Sequence, residues 1–323
     1  MSTKEKILIN GTLLLKQLET DLTEHFDVTL LREQADPMGW LRENGHQFTG
    51  LVTSAGVPVP VELIQALPNL KVVSSFGVGY DQLNEEVLNE REIRVGYTPD
   101  VLNDCVADLA IGLMIDIARG MSAADRYVRD GKWPSGPFPL QRRVSGKRMG
   151  ILGLGRIGEA IAKRGEGFGM DIAYHNRNKR DDVPYTWLGS PEALADWSDY
   201  LVIAVTGGAG TAKLVDANVL KALGPEGFLI NISRGTVIDE EALLGALQKR
   251  EIAGAALDVF TNEPHVPSGF FELDNVVLLP HVASATHETR RAMADLVLEN
   301  LRHFYATGEV RTPVPWSVQS TQQ

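Results

Sequence analysis

The stretch Arg148-Met149-Gly150-Ile151-Leu152-Gly153-Leu154-Gly155-Arg156-Ile157-Gly158, continued by Ala160, Ile161 and Ala162, decides the fold of this chain. It reads as an apolar strand, a G-x-G-x-x-G turn and the start of a helix. Each glycine has its own reason. Gly153 permits a tight turn, Gly155 lets backbone approach a pyrophosphate with no Cβ between them, and Gly158 lets the helix pack close to the strand. Arg156 and Ile157 open the helix, whose free N–H groups and partial positive charge suit phosphates. Glycines at this spacing also arise by chance or for packing. Strand, turn, helix and following strand in order make this one a dinucleotide-binding loop.

The following strand, near Asp171–His175, bears on which dinucleotide is bound. About 20 residues past the glycine loop, an NAD-binding chain usually carries Asp or Glu for the ribose 2′-OH. Here that position holds His175, followed by Asn176-Arg177-Asn178-Lys179-Arg180. With no acid to repel it, a 2′-phosphate can be met by Arg177 and Asn176, and Lys179 or Arg180 can add a screened attraction. The expected cofactor is NADPH, with NADH possible; a solvated basic turn is the plainer alternative.

Short apolar runs alternate with helix-length segments on both sides of the loop, which is the pattern of βαβ units and a parallel sheet. Further strands are expected near Tyr200–Val205, Phe228–Ile232, Ala253–Val259 and Val276–Leu279, a six-strand count for the domain. In the first third, strands are expected near Ile7–Ile9, Val28–Leu30, Leu51–Thr53, Val72–Ser74 and Arg94–Gly96. A long helical segment, Val101–Arg129, follows Thr98-Pro99, and the Pro-, Gly- and Trp-containing stretch Gly131–Gly146 reads as an irregular arm. The predicted fold class is α/β with two doubly wound parallel-sheet domains. A Rossmann cofactor domain over 99–287 is inserted into a smaller flavodoxin-like substrate domain over 1–98 and 288–323, ending in a Pro-containing tail at Arg311–Gln323.

At 323 residues the chain exceeds the ~100–200 residues of one ordinary domain, in keeping with two. A net charge of -11 disfavours nucleic acid as a partner, and no apolar run approaches the ~20 residues of a membrane span. The start MSTKEKILIN lacks an apolar leader, and the lone Cys105 can form no internal disulfide, so a cytoplasmic location is expected.

Ligands of open α/β sheets bind beyond the carboxyl ends of the strands. Three polar residues stand there: Arg234 in Asn231-Ile232-Ser233-Arg234-Gly235, Glu263 in Asn262-Glu263-Pro264, and His281 in Leu279-Pro280-His281. Singly, each has a bland reading as a loop residue. Together they match the reduction of a 2-keto acid. Arg234 offers a planar fork for the substrate carboxylate. His281 offers a proton to the carbonyl oxygen, and Glu263 orients the imidazole and favours its charged form. A nicotinamide supplies the hydride, so no metal or protein nucleophile is required.

With these residues in view, the sequence resembles the D-2-hydroxyacid dehydrogenase family, and within it the glyoxylate/hydroxypyruvate and hydroxyphenylpyruvate reductase branch. The likeness spans Ser74 to Thr312. It is carried by Phe76-Gly77-Val78-Gly79-Tyr80-Asp81, Gly153–Gly158, Ile232-Ser233-Arg234-Gly235, Ala256-Leu257-Asp258-Val259-Phe260, Asn262-Glu263-Pro264 and Leu279-Pro280-His281. The resemblance implies that the N–H groups of Val78 and Gly79 meet the substrate carboxylate. It also implies that Asp258 contacts the nicotinamide carboxamide, that Thr206 and Ile232 line the cofactor, and that the protein is a homodimer joined through the cofactor domains. Asp258 sits in an apolar run where an unpartnered carboxylate is costly, which separately calls for a polar partner. Two alternatives stay open: an NAD-dependent dehydrogenase of another 2-hydroxy acid such as 3-phosphoglycerate, and a non-catalytic nucleotide-sensing module on the same fold.

Overall fold

Two all-parallel sheets carry the fold of the computed structural model, which describes residues 4–317. The remaining residues of the expected tail, 318–323, lie outside that range. The chain forms two units, one of residues 4–102 and 285–317 and the other Asn103–Ser284.

The first unit begins with β1 (Lys6–Ile9), α1 (Lys16–His25), β2 (Asp27–Leu30), α2 (Pro37–Asn44), β3 (Gly50–Ser54), α3 (Val61–Gln65), β4 (Val72–Phe76), α4 (Glu85–Glu90) and β5 (Arg94–Gly96). Its strand order is β2-β1-β3-β4-β5, the flavodoxin-like order. β3 and β4 are buried at every residue, as parallel strands covered on both faces must be. Leu8, Leu51, Val73 and Val95 from four of the strands pack with Leu63, Ile64 and Leu67 into one core.

The second unit starts with α5 (Asn103–Arg119) and α6 (Met121–Arg129). The sequence reads these as one helix, because apolar periodicity continues across the join. The structure breaks it at Gly120, whose φ of 60° is a left-handed conformation that glycine adopts without a steric penalty. After the arm come β6 (Arg148–Leu152), α7 (Arg156–Glu166), β7 (Asp171–His175), β8 (Thr186–Trp187), α8 (Pro191–Trp197), β9 (Tyr200–Ile203), α9 (Ala217–Leu223), β10 (Phe228–Asn231), α10 (Glu240–Gln248), β11 (Gly254–Leu257) and β12 (Val276–Leu278). The order β12-β11-β10-β9-β6-β7-β8 gives seven strands, one more than the expected six. The extra strand is β8, which pairs only through Ala173↔Thr186 and Tyr174↔Trp187 and is too short to show a period. The order reverses between β6 and β9, the switch point at which such sheets bind ligands.

The chain rejoins the first unit as α11 (His287–Thr307). Asn300 of this helix is wholly buried, donates to the Tyr97 carbonyl (3.2 Å) and accepts from the Thr312 N–H (2.9 Å). One amide thereby ties helix, strand end and C-terminal segment together. No described helix is long and apolar enough to cross a membrane.

Candidate active site

The glycine loop has the geometry that its spacing calls for. Gly153 has a φ of 101°, and a Cβ there would lie 2.6 Å from the Val205 nitrogen, so a side chain would have to displace the end of β9. At Gly158 a Cβ would lie 2.2 Å from the Gly153 carbonyl oxygen, which is what close helix–strand packing means in atoms. At Gly155 it would meet nothing within 4 Å. The space over Gly155 at the N-terminus of α7 is open, and the N–H groups there could hold a dinucleotide pyrophosphate. Thr206, exposed after β9, and Ile232, buried after β10, stand at neighbouring strand ends of the same sheet.

The basic turn after β7 is more differentiated than its sequence. Asn176 accepts from the Leu154 N–H (2.7 Å) and donates to the Leu154 carbonyl (3.4 Å), so its amide binds the turn to the glycine loop and keeps one N–H for a ligand. Lys179 pairs with Asp181 (3.4 Å), and Arg180 with Asp182 (2.5 Å) and Glu159 (2.9 Å). The expected long-range attraction from these two cations is thus largely neutralised locally. Arg177 is exposed and makes no ion pair or hydrogen bond among the described residues. His175 donates from Nδ1 to the Leu188 carbonyl (2.7 Å).

Arg234, Glu263 and His281 follow β10, β11 and β12, three adjacent strands. Asn231, fully buried at the end of β10, shapes the first turn: it accepts from the Ser233 N–H (3.0 Å) and hydroxyl (3.0 Å) and donates to the Arg234 carbonyl (3.0 Å). Gly235 then lets this turn lie on the next segment, since a Cβ would fall 2.2 Å from the Thr261 nitrogen. Glu263 is fixed at both oxygens. Oε1 accepts from the Phe260 N–H (3.0 Å), and Oε2 accepts from His281 Nδ1 (2.7 Å). Burial pushes the Glu263 carboxyl up, but the bond and charge of His281, the Phe260 N–H and the charge of Arg234 outweigh it and hold the group below the usual carboxylate range. The result is an ionised carboxylate on Nδ1, with the proton-bearing chemistry of the ring left to Nε2.

His281 occupies an uncommon backbone conformation, φ 53°. Asp258 secures it. The Asp258 carbonyl accepts from the His281 N–H (2.8 Å), and its carboxylate accepts from the N–H groups of Val282 (2.7 Å) and Ala283 (2.9 Å). Burial, partly offset by those two bonds, raises the Asp258 carboxyl above its usual range. The polar partner demanded by the sequence is thus supplied by the chain itself, and these contacts hold the turn that carries the histidine.

In the first unit, Val78 and Gly79 lie on the loop after β4 and donate no hydrogen bond from their N–H groups among the described residues. The loop is anchored just before them. Buried Thr98 accepts from the Gly77 N–H (3.0 Å) and donates its own N–H to the Gly77 carbonyl (2.9 Å). Sequence reasoning missed Thr98 and Asn231. Asn231 had a readable signal, an amide closing a buried apolar run; Thr98 had none beyond its place before Pro99.

Residues 111–283 match the model for the NAD binding domain of D-isomer specific 2-hydroxyacid dehydrogenases. A 2-ketogluconate reductase of Gluconobacter oxydans is 48% identical over 265 residues, 82% of this chain and 86% of that protein. A glyoxylate/hydroxypyruvate reductase of Arabidopsis thaliana is 46% identical, over 92% of this chain and 95% of its own. Among solved structures, an NADPH-dependent glyoxylate/hydroxypyruvate reductase from Sinorhizobium meliloti, in complex with NADP and malonate, superposes with a TM-score of 0.93 at 43% identity. It covers 98% of each chain.

Proposed function

Because this chain belongs to the D-isomer specific 2-hydroxyacid dehydrogenase family, we propose that it reduces small 2-keto acids, such as glyoxylate or hydroxypyruvate, to D-2-hydroxy acids with NADPH. The observation that carries the chemistry is the Glu263–His281 pair at 2.7 Å, fixed by backbone bonds on both partners and set beside Arg234. When bound, the nicotinamide supplies the hydride. Arg234 holds the substrate carboxylate through parallel charge-assisted bonds. His281 gives the proton at Nε2 to the carbonyl oxygen, while Glu263 keeps Nδ1 protonated and stabilises the imidazolium. Asp258 sets the angle of presentation of the histidine. We assign the unit Asn103–Ser284, expected from the sequence at 99–287, to the cofactor domain and the flanking segments to the substrate domain.

The cofactor preference rests on Arg177, the cation of the basic turn without a protein partner among the described residues. A charge-assisted contact contributes ~1.5–3 kcal/mol, roughly ten- to a hundredfold in affinity. Arg177→Ala is therefore expected to raise the KM for NADPH by that factor and to leave the KM for NADH nearly unchanged. Equal loss with both, or a wild-type preference for NADH, would sink the assignment.

We further propose a two-fold homodimer joined through the cofactor domains. Met121, Val128 and Trp133 expose 55%, 54% and 65% of their surface on α6 and the arm, apolar surface that a two-fold partner would cover. Light scattering at micromolar concentration should give twice the chain mass; a monomer mass overturns the proposal. The lone cysteine fits the reducing cytoplasm, our assigned location, which recovery of the protein in a secreted or membrane fraction would contradict.

A further inference from the structure

The two-residue strand β8 grips the turn that carries Arg177 from outside. The Trp187 ring stacks on His175, with centroids 6.3 Å apart and planes 24° apart. Its indole N–H donates to the Asn176 carbonyl (3.2 Å). Leu188 completes the grip: its carbonyl accepts from His175 Nδ1 (2.7 Å), and its N–H donates to the Tyr174 carbonyl (2.8 Å). From inside, the Asn176 amide clasps both backbone groups of Leu154 in the glycine loop. The two residues preceding Arg177 are thus fixed on both sides, while Arg177 itself has no partner among the described residues.

Such an arrangement matters for a long side chain. A guanidinium on a flexible stem gains from a phosphate contact only what remains after the stem and its backbone have been ordered. Fixing the backbone beforehand lowers that cost for every ligand carrying the phosphate, and does nothing for one that lacks it. Lys179 and Arg180, by contrast, are each paired with local acids.

We propose that Trp187 is a positioning residue for cofactor choice: through the His175 ring and the Asn176 carbonyl it holds the turn from which Arg177 meets the 2′-phosphate of NADPH. This inference rests on the NADPH reading above. Discrimination between the two cofactors then depends on a side chain that makes no contact with the phosphate. An edge-strand tryptophan that merely covers the sheet would affect all adenine nucleotides alike, and the two roles are separable on that ground.

The test is calorimetric titration of the full-length protein with adenosine 2′,5′-bisphosphate and with adenosine 5′-monophosphate, for wild type, Trp187→Phe and Trp187→Ala. Phenylalanine keeps the stack and removes only the N–H donor, so this variant retains the packing of the strand. The expected wild type binds the bisphosphate more tightly than the monophosphate. Trp187→Phe should reduce that preference by about two- to tenfold, the effect of one net hydrogen bond, and Trp187→Ala should reduce it further. A preference unchanged in both variants, or an equal loss of affinity for both nucleotides, overturns the role of Trp187 and leaves the NADPH reading standing. A wild type that does not distinguish the nucleotides overturns the NADPH reading and this inference with it.

Discussion

Replacing His281 with alanine is expected to lower kcat for 2-keto-acid reduction by roughly 10²–10⁴-fold, the usual range for loss of a positioned proton donor, while NADPH still binds. The expectation follows from its neighbours. Nδ1 is committed to Glu263 at 2.7 Å, and the backbone of the turn is held at three N–H groups by Asp258, so Nε2 is the one ring nitrogen that can serve substrate. The sign of the pH dependence follows as well. Reduction needs the protonated imidazole, so activity falls as pH rises. Glu263 is held below the usual carboxylate range because the His281 bond, the Phe260 N–H and the nearby charge outweigh its burial, so the carboxylate that orients Nδ1 persists to lower pH than a free one would. In Glu263→Gln the charged acceptor on Nδ1 is gone, and kcat for reduction should fall while NADPH still binds. Near-wild-type turnover by the His281 variant, or by the Glu263 variant, would remove the proton-donor assignment.

The second large effect is expected at Arg234. Two charge-assisted hydrogen bonds to a carboxylate contribute ~1.5–3 kcal/mol each, so Arg234→Ala should lower kcat/KM for a 2-keto acid by roughly 10²–10⁴-fold. Much of that loss should appear in KM. Arg234→Lys restores the charge but not the planar fork and should recover only part of the activity. A carbonyl compound without a carboxylate gives the control: its slow reduction should be nearly the same in wild type and Arg234→Ala. Equal losses with both substrates would mean that Arg234 supports the turn rather than the ligand. The Asn231 amide fixes that turn through Ser233 and the Arg234 carbonyl, and the guanidinium itself donates to the Ser233 carbonyl (2.9 Å).

The parts of the molecule that were legible in the sequence are those where one residue type has one physical use. Gly153 and Gly158 were legible because the turn and the helix packing each forbid a Cβ, and the structure gives both reasons their atoms, while Gly155 has open space beside it. Arg234, Glu263 and His281 were legible because a polar residue directly after a buried apolar run stands at a strand end. What escaped lacked such a signal. β8 spans two residues and shows no alternation; the break at Gly120 is a single backbone rotation inside a continuous apolar pattern. The N–H groups of Val78 and Gly79 are donors that every non-proline residue carries, so resemblance to a family was needed to single them out. For Asn176 the fold adds a use that the sequence did not show. A side-chain amide can serve a phosphate and a neighbouring backbone at once, and only the fold brings the Leu154 N–H within 2.7 Å.

The central claim is tested most directly by steady-state turnover of the purified full-length protein with NADPH and a panel of glyoxylate, hydroxypyruvate and phenylpyruvate analogues, with the configuration of the chiral products determined. The account predicts NADPH oxidation matched mole for mole by 2-hydroxy acid, of D configuration wherever the product is chiral. Absence of turnover with every member of the panel, by protein that binds NADPH, or formation of the L acid, would contradict it.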